Sequence, residues 1–132
     1  MNIVLDTNCL LASLSRKSKY FPIWQSFVRG EYTLCVSTEI LEEYEEIIAT
    51  KTSPIVAENV IGFIINSDNV MLVSPYFHFN LVQEDPDDNK FVDCAICANA
   101  SYIVSQDAHF NVLRTIGFPK VNLIGIDDFM KL

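Results

Sequence analysis

The amino-acid sequence predicts an α/β fold: a three-layer α/β/α sandwich around a mainly parallel sheet of about five strands. Two observations carry this. Short apolar runs at 3–5, 32–36, 70–73, 102–104 and 121–124 alternate with segments whose apolar residues recur at helical spacing. The runs are apolar, as in parallel sheets covered on both faces. With 132 residues, 50% of them hydrophobic, the chain suits a single domain, 1–132, with a substantial core.

Ile3, Val4 and Leu5 make the first predicted strand, which stops at Asp6, and a helix follows from Thr7 with Leu10, Leu11 and Leu14 on one face. A basic, polar connector containing Arg16, Lys17 and Lys19 leads to a helix that carries Phe21, Trp24, Phe27 and Val28 and stops near Gly30. After the strand at 32–36, Ser37 or Thr38 caps a long helix with Ile40, Leu41, Tyr44, Ile47 and Ile48 on one side. Pro54 fits the first turn of the next helix, where Val56, Val60, Phe63 and Ile64 keep helical spacing.

The third strand is 70–73. Residues 76–82 are aromatic and alternating, and an edge hairpin arm is one reading of them. Residues 84–88, with Pro86 inside, form an acidic turn. Asp87 or Asp88 then begins a helix that buries Phe91, Cys94, Ala95 and Ala98. The strand at 102–104 ends before Asp107, and Phe110, Leu113 and Ile116 face inward from a helix stopped by Gly117 and Pro119. After the last strand, Asp127 caps a short terminal helix.

Seventeen acids against nine bases give a formal net charge of −8, which by itself argues against a nucleic-acid partner. A mean hydropathy of +0.24 and 20% charged residues exclude a disordered or fibrous chain. The apolar runs, such as 60–65 with Gly62 inside, fall far short of a bilayer span, and no basic region precedes Ile3, so a cytoplasmic address is expected. Cys9, Cys35, Cys94 and Cys97 read as buried thiols, because no second C-x-x-C and no nearby histidine completes a zinc set around Cys94 and Cys97.

Ten of the seventeen acids fall in two windows: Glu39, Glu42, Glu43, Glu45 and Glu46 in one, and Glu84, Asp85, Asp87, Asp88 and Asp93 in the other. In the first, Glu39, Glu42 and Glu46 point away from the apolar face, while Glu43 and Glu45 lie about 100° to either side of it, so helical angles leave both able to reach a cleft. Asp6, Asp88 and Asp107 each have an ordinary use as helix caps. Together they place carboxylates at two strand ends and one helix start, where α/β sheets gather functional groups. Clustered anions repel unless protonated or metal-bound, and hard oxygen ligands suit Mg²⁺ or Mn²⁺.

Asp6-Thr7-Asn8 after the first strand, Glu43-Tyr44 in the helix after the second, the stretch from Asp85 to Phe91 (Asp-Pro-Asp-Asp-Asn-Lys-Phe), and the stretch from Tyr102 to Asp107 resemble the PIN-domain nucleases. The likeness covers essentially the whole chain and is strongest to the toxin components of bacterial toxin–antitoxin systems related to the VapC toxins. It implies an acidic quartet of Asp6, Glu43, Asp88 and Asp107, thus Glu43 over Glu45. It gives Asn8 and Ser105 supporting roles and leaves Asp93 off the site, with Asp85 and Asp87 as outer or turn residues. It also implies one or two Mg²⁺ or Mn²⁺ ions, hydrolysis of RNA to leave a 5′ phosphate, an antitoxin partner and a homodimer. His78 and His109 read as surface or packing residues. Arg16, Lys17, Lys19 and Lys90 are the candidate RNA-binding residues, and Arg29 and Arg114 extend them.

Other classes fit less well. Asp6-Thr7-Asn8 offers Asn where a haloacid-dehalogenase-type phosphatase carries a second Asp, and a receiver domain needs paired acids after its first strand. A PIN-like binding or scaffold module is the non-enzyme alternative, for which loss of a quartet acid would be the mark; all four are present.

Overall fold

A computed structural model describes residues 1–83 and 85–132; Glu84, part of the expected acidic turn, lies outside the described residues. The elements run β1 (Asn2–Leu5), α1 (Thr7–Ser13), α2 (Phe21–Val28), β2 (Thr33–Val36), α3 (Thr38–Lys51), α4 (Pro54–Ile65), β3 (Val70–Leu72), α5 (Asn89–Ala98), β4 (Tyr102–Val104), β5 (Leu123–Ile124) and α6 (Ile126–Met130). A 3₁₀ turn at Pro86–Asp88 enters α5, and a longer one, Ala108–Thr115, follows β4.

All strand pairings are parallel, in the order β3-β2-β1-β4-β5. Ile3 pairs with Leu34 on one side and Tyr102 on the other, so β1 is central. Its neighbours share its burial: Ile3, Val4, Leu34, Cys35, Val36, Ile103 and Val104 expose essentially nothing. That explains why these runs are apolar throughout. β3, at the sheet edge, leaves Met71 and Leu72 exposed. Right-handed crossovers with this strand order put α1 to α4 on one face and α5 on the other, which yields the three layers.

Local chemistry sets the helix starts. The Asp6 carboxylate accepts from the Cys9 N–H, Ser37 from Ile40 and Ser53 from Val56, each satisfying an otherwise orphaned first-turn donor. Ser37, not Thr38, is the cap of α3. Gly30 takes φ +75° just after α2, and Asn99 takes φ +50° to end α5, the left-handed geometry that closes helices.

Several expectations need correction. Residues 76–82 form no strand. Their backbone is held by side chains instead: Asp93 accepts from the Phe79 N–H at 3.1 Å, and Asn89 both accepts from the Val82 N–H at 2.8 Å and donates to its carbonyl at 2.9 Å. The segment after Asp107 is 3₁₀ rather than α; its buried residues, Phe110 and Leu113, are three apart, which matches a three-residue turn. Gly125, not Asp127, precedes α6, because Asp127 lies inside the first turn with its carboxylate 3.5 Å from Lys19. Cys97 is exposed, while Cys9, Cys35 and Cys94 are buried as expected. No helix among the described residues is long and apolar enough to cross a membrane.

Candidate metal centre

The strand order reverses direction between β1 and β4, so the crevice of this sheet opens beyond the carboxyl ends of those two strands. Asp6 follows β1 directly and Asp107 follows β4 by three residues. Ser105 couples them. Its hydroxyl donates to Asp6 Oδ2 and accepts from the Asp107 N–H at 3.0 Å. Asp6 is buried, and burial raises its pKa above 3.8; the hydrogen bonds from Ser105 and the Cys9 N–H oppose that, and the Asp107 charge adds to it. Asp107 in turn accepts from the His109 N–H at 2.9 Å, fixing the start of the 3₁₀ turn. Both aspartates line a cleft of about 290 Å³ with Asn8, Cys9, Tyr20 and Gln106.

Helix α3 brings in Glu43. Glu39, Glu42, Glu45 and Glu46 are exposed, whereas Glu43 is half-buried against the end of β1. Tyr44, fully buried beside it, anchors the helix by donating to the Leu5 carbonyl at 2.5 Å. Thr7 donates its hydroxyl to Glu43 Oε2, and the Lys90 ammonium sits 2.8 Å from Oε1. Lys90 also donates to the Asp87 carbonyl at 2.8 Å, so this lysine bridges α3 to the turn before α5.

That turn supplies the third side. Asp85 accepts from the Asp87 N–H at 3.3 Å and so caps the 3₁₀ turn, while Asp88, one of the two residues expected to begin the helix, stands at the N-cap position of α5. Asp88 makes no capping bond to α5. Its carboxyl is pushed up to about 7 by burial, reinforced by the charges of Asp85 and Asp107. Asp88 Oδ2 is buried and accepts no hydrogen bond among the described residues. A buried carboxylate oxygen without a donor is costly unless it is protonated or meets a cation.

Asp85, Asp88, Asp107 and His109 each place one ligand atom within 4.8 Å of the others. His109, read from sequence as a surface or packing residue, is 40% exposed at its side chain and stands beside these three carboxylates. Its Nδ1 lies 3.4 Å from Asp107, 3.7 Å from Asp85 and 3.9 Å from Asp88. The donor set is three carboxylates and one imidazole, which fits a hard or borderline divalent cation. Among the described residues no such group contains a cysteine.

The other singled-out residues lie around this core. Asn8 is exposed on the cleft wall and makes no hydrogen bond to Asp6 among the described residues; Ser105 and the Cys9 amide do. Asp93 is buried, 3.2 Å from His78 Nδ1, and is not part of the group formed by Asp85, Asp88, Asp107 and His109. Arg16 and Lys17 are exposed, Lys19 faces Asp127, and Lys90 is turned inward onto Glu43.

A five-stranded parallel sheet with carboxylates gathered at its switch point defines an α/β protein built around an acidic crevice. The chain belongs to the PIN-domain family, whose family model matches residues 2–109. Its fold is similar to a chain of the VapBC2 complex of Rickettsia felis bound to a promoter DNA fragment, with a TM-score of 0.65 at 15% identity over 95% of this chain and 98% of that one. It is similar also to a chain of DNA-bound VapBC from Salmonella typhimurium, with a TM-score of 0.60 at 15% identity over 96% and 98% of the two chains. No curated protein sequence matches the chain.

Proposed function

We propose that this PIN domain is a Mg²⁺- or Mn²⁺-dependent endoribonuclease, the toxin of a type II toxin–antitoxin pair. The observation that carries the reading is the convergence of Asp6, Asp88 and Asp107 on one crevice, with a buried oxygen of Asp88 that no donor meets among the described residues. These three would hold one or two ions, and Glu43 completes the acidic quartet. A divalent ion bound there supplies Lewis acidity, which makes a water nucleophilic near neutral pH and offsets charge on a phosphodiester.

The chain's own residues orient that chemistry. Ser105 holds the Asp6 carboxylate toward the crevice while locking the backbone of Asp107. Thr7 and Lys90 fix the Glu43 carboxylate, and Lys90 brings a positive charge to a site that otherwise repels phosphate. RNA is gripped by this charge, the metal and the exposed Arg16, Lys17 and Lys19, not by a broad basic face; the net charge of −8 records the metal site rather than excluding nucleic acid. The partners in this reading are an antitoxin protein and a second copy of the chain. Support comes from the fold shared with the two VapBC structures.

The test is cleavage of single-stranded and structured RNA by the purified protein with Mg²⁺ or Mn²⁺, with excess EDTA, and by Asp6→Asn. Metal-dependent cleavage lost in Asp6→Asn is the expected result. Equal cleavage by the variant, or in EDTA, overturns the assignment. A folded protein that binds RNA without cutting it would instead be a binding module.

A further inference from the structure

The cleft of about 290 Å³ beside Asp6 and Asp107 is built for an uncharged ligand. Cys9, Ala12, Tyr20 and Ile126 give it apolar walls, Asn8 and Gln106 bring two side-chain amides, and no lysine or arginine lines it among the described residues. A phosphate would meet two carboxylates there and no cation, whereas a flat, neutral ring meets an aromatic side chain and two amides. The volume stands at the low end of small-molecule clefts, about 300–1,000 Å³, which suits a single ring system. We propose that this cleft is a nucleobase subsite, in which Tyr20 stacks on the base of an unpaired nucleotide beside the scissile phosphate and Gln106 donates to the edge of that base. This rests on the ribonuclease reading above and names the form of RNA that the site takes.

Gln106 is set for that contact by its surroundings. Its Oε1 accepts from the Ile126 N–H at 3.2 Å, which commits the carbonyl to the protein and leaves the exposed amide N–H groups for a ligand. Gly125 makes the approach possible, because a Cβ there would stand 2.9 Å from Gln106 Oε1, closer than a side-chain carbon packs. Tyr20 lines the same cleft, half-buried, with the Lys19 ammonium 5.0 Å from its ring centroid. Lys19 also meets Asp127 at 3.5 Å, an exposed pair that contributes little, so its charge is available to the phosphate of the stacked nucleotide.

Stacking on a side chain needs an open base face. In duplex RNA the neighbouring pairs cover both faces of each base, so a base enters the cleft only from a loop, a bulge or a single strand. Every base has a π face, and Tyr20 therefore sets affinity for unpaired RNA whatever its sequence. An N–H donor at a fixed place discriminates by the acceptors on the base edge, and Gln106 therefore sets preference.

The test uses a short fluorescent single-stranded RNA, alone and annealed to its complement. Binding is followed by anisotropy in an Asp6→Asn background, which keeps the strand whole, and cleavage in the otherwise wild-type protein. Tyr20→Leu should weaken single-strand binding and raise KM about 5- to 100-fold, the loss of one stacked base. Tyr20→Phe should stay close to wild type, with Mn²⁺ affinity unchanged in both. Gln106→Ala, at an exposed side chain, should narrow the spread of cleavage rates among oligo(A), oligo(C) and oligo(U). Equal single-strand binding by Tyr20→Leu, or a wild type that cleaves the duplex as fast as the single strand, overturns the stacking role; an unchanged spread in Gln106→Ala overturns the edge contact. Should Tyr20→Leu not fold, 2-aminopurine scanned along the bound strand reports the stack by its quenching, and no quenched position overturns it. Binding that depends on Tyr20 without cleavage in Mg²⁺ or Mn²⁺ leaves the subsite standing and removes the nuclease reading. Metal-dependent cleavage indifferent to Tyr20 and Gln106 does the reverse.

Discussion

Among the described residues Lys90 and Glu43 form the closest ion pair of the crevice, with the ammonium 2.8 Å from the carboxylate and only 14% and 28% of the two side chains exposed. Nearly shielded from water, this pair joins the helix after β2 to the turn before α5. Because both groups are largely desolvated, removing one strands the other. Lys90→Met should cost about 2 kcal/mol in urea unfolding, as should Glu43→Gln. The double variant should cost less than the sum of the two, and full additivity would show that the pair is not coupled. In RNA cleavage Lys90→Met should be the more damaging, since it also removes positive charge from the phosphate path.

Ser105 should matter more to metal binding than to folding. Ser105→Ala removes the donor that opposes the upward shift of Asp6 and the acceptor for the Asp107 amide. Metal affinity should fall about 10- to 100-fold, as with other residues that orient ligands. Ser105→Thr keeps the hydroxyl and should recover most of it. Calorimetric titration with Mn²⁺ separates the two; equal affinity in Ser105→Ala would remove Ser105 from the site.

The metal-free protein should lose stability as pH rises. The Asp88 carboxyl, 3.8 when unfolded, is pushed up to about 7 in the folded chain, and Asp6 is shifted in the same direction. The folded state therefore binds more protons than the unfolded one across that window. The stabilisation is complete below pH 3.8 and is lost as pH climbs through about 7. The slope should fall well short of the limit of about 1.4 kcal/mol per pH unit for one group, because water reaches the cleft and screens it. Mn²⁺ should raise the melting temperature more at pH 8 than at pH 5, and Asp88→Asn should flatten the metal-free profile. A metal-free melting temperature that rises from pH 5 to pH 8 would contradict this assignment of charges.

The order of strands and helices was legible in sequence because its signals are local. Apolar runs such as Ile3 to Leu5 stop at polar residues, and Ser37 and Ser53 announce the helices they cap. Asp6 and Asp107 were legible for the same reason, since each follows a strand directly or nearly so. Helical angles left Glu43 and Glu45 equivalent, and only the docking of α3, pinned by Tyr44 to the Leu5 carbonyl, buries one and exposes the other. The position of His109 beside Asp85 and Asp88 was not legible, because those carboxylates arrive from a distant segment. Residues 76–82 misled for a related reason. Their alternation imitates a strand, but their hydrogen-bond partners are side chains on α5 rather than a neighbouring backbone.

Asn89 gives the last of these relations a measurable consequence. Its amide meets both backbone groups of Val82, standing in for a strand partner, and both residues are buried. Asn89→Ala leaves a buried N–H and a buried carbonyl unpaired, each worth about 1–3 kcal/mol, so the variant should be destabilised by about 2–6 kcal/mol. Asn89→Asp keeps the acceptor but loses the donor to the Val82 carbonyl, placing two acceptors face to face, and should be at least as damaging near neutral pH. Since Asn89 begins α5 directly after Asp88, loosening this clamp should also release the turn that carries Asp85 and Asp88. Hydrogen exchange of the Val82 amide measures the first effect and Mn²⁺ affinity the second. Fast exchange at Val82 with unchanged metal affinity would show that the turn holds its geometry without the loop.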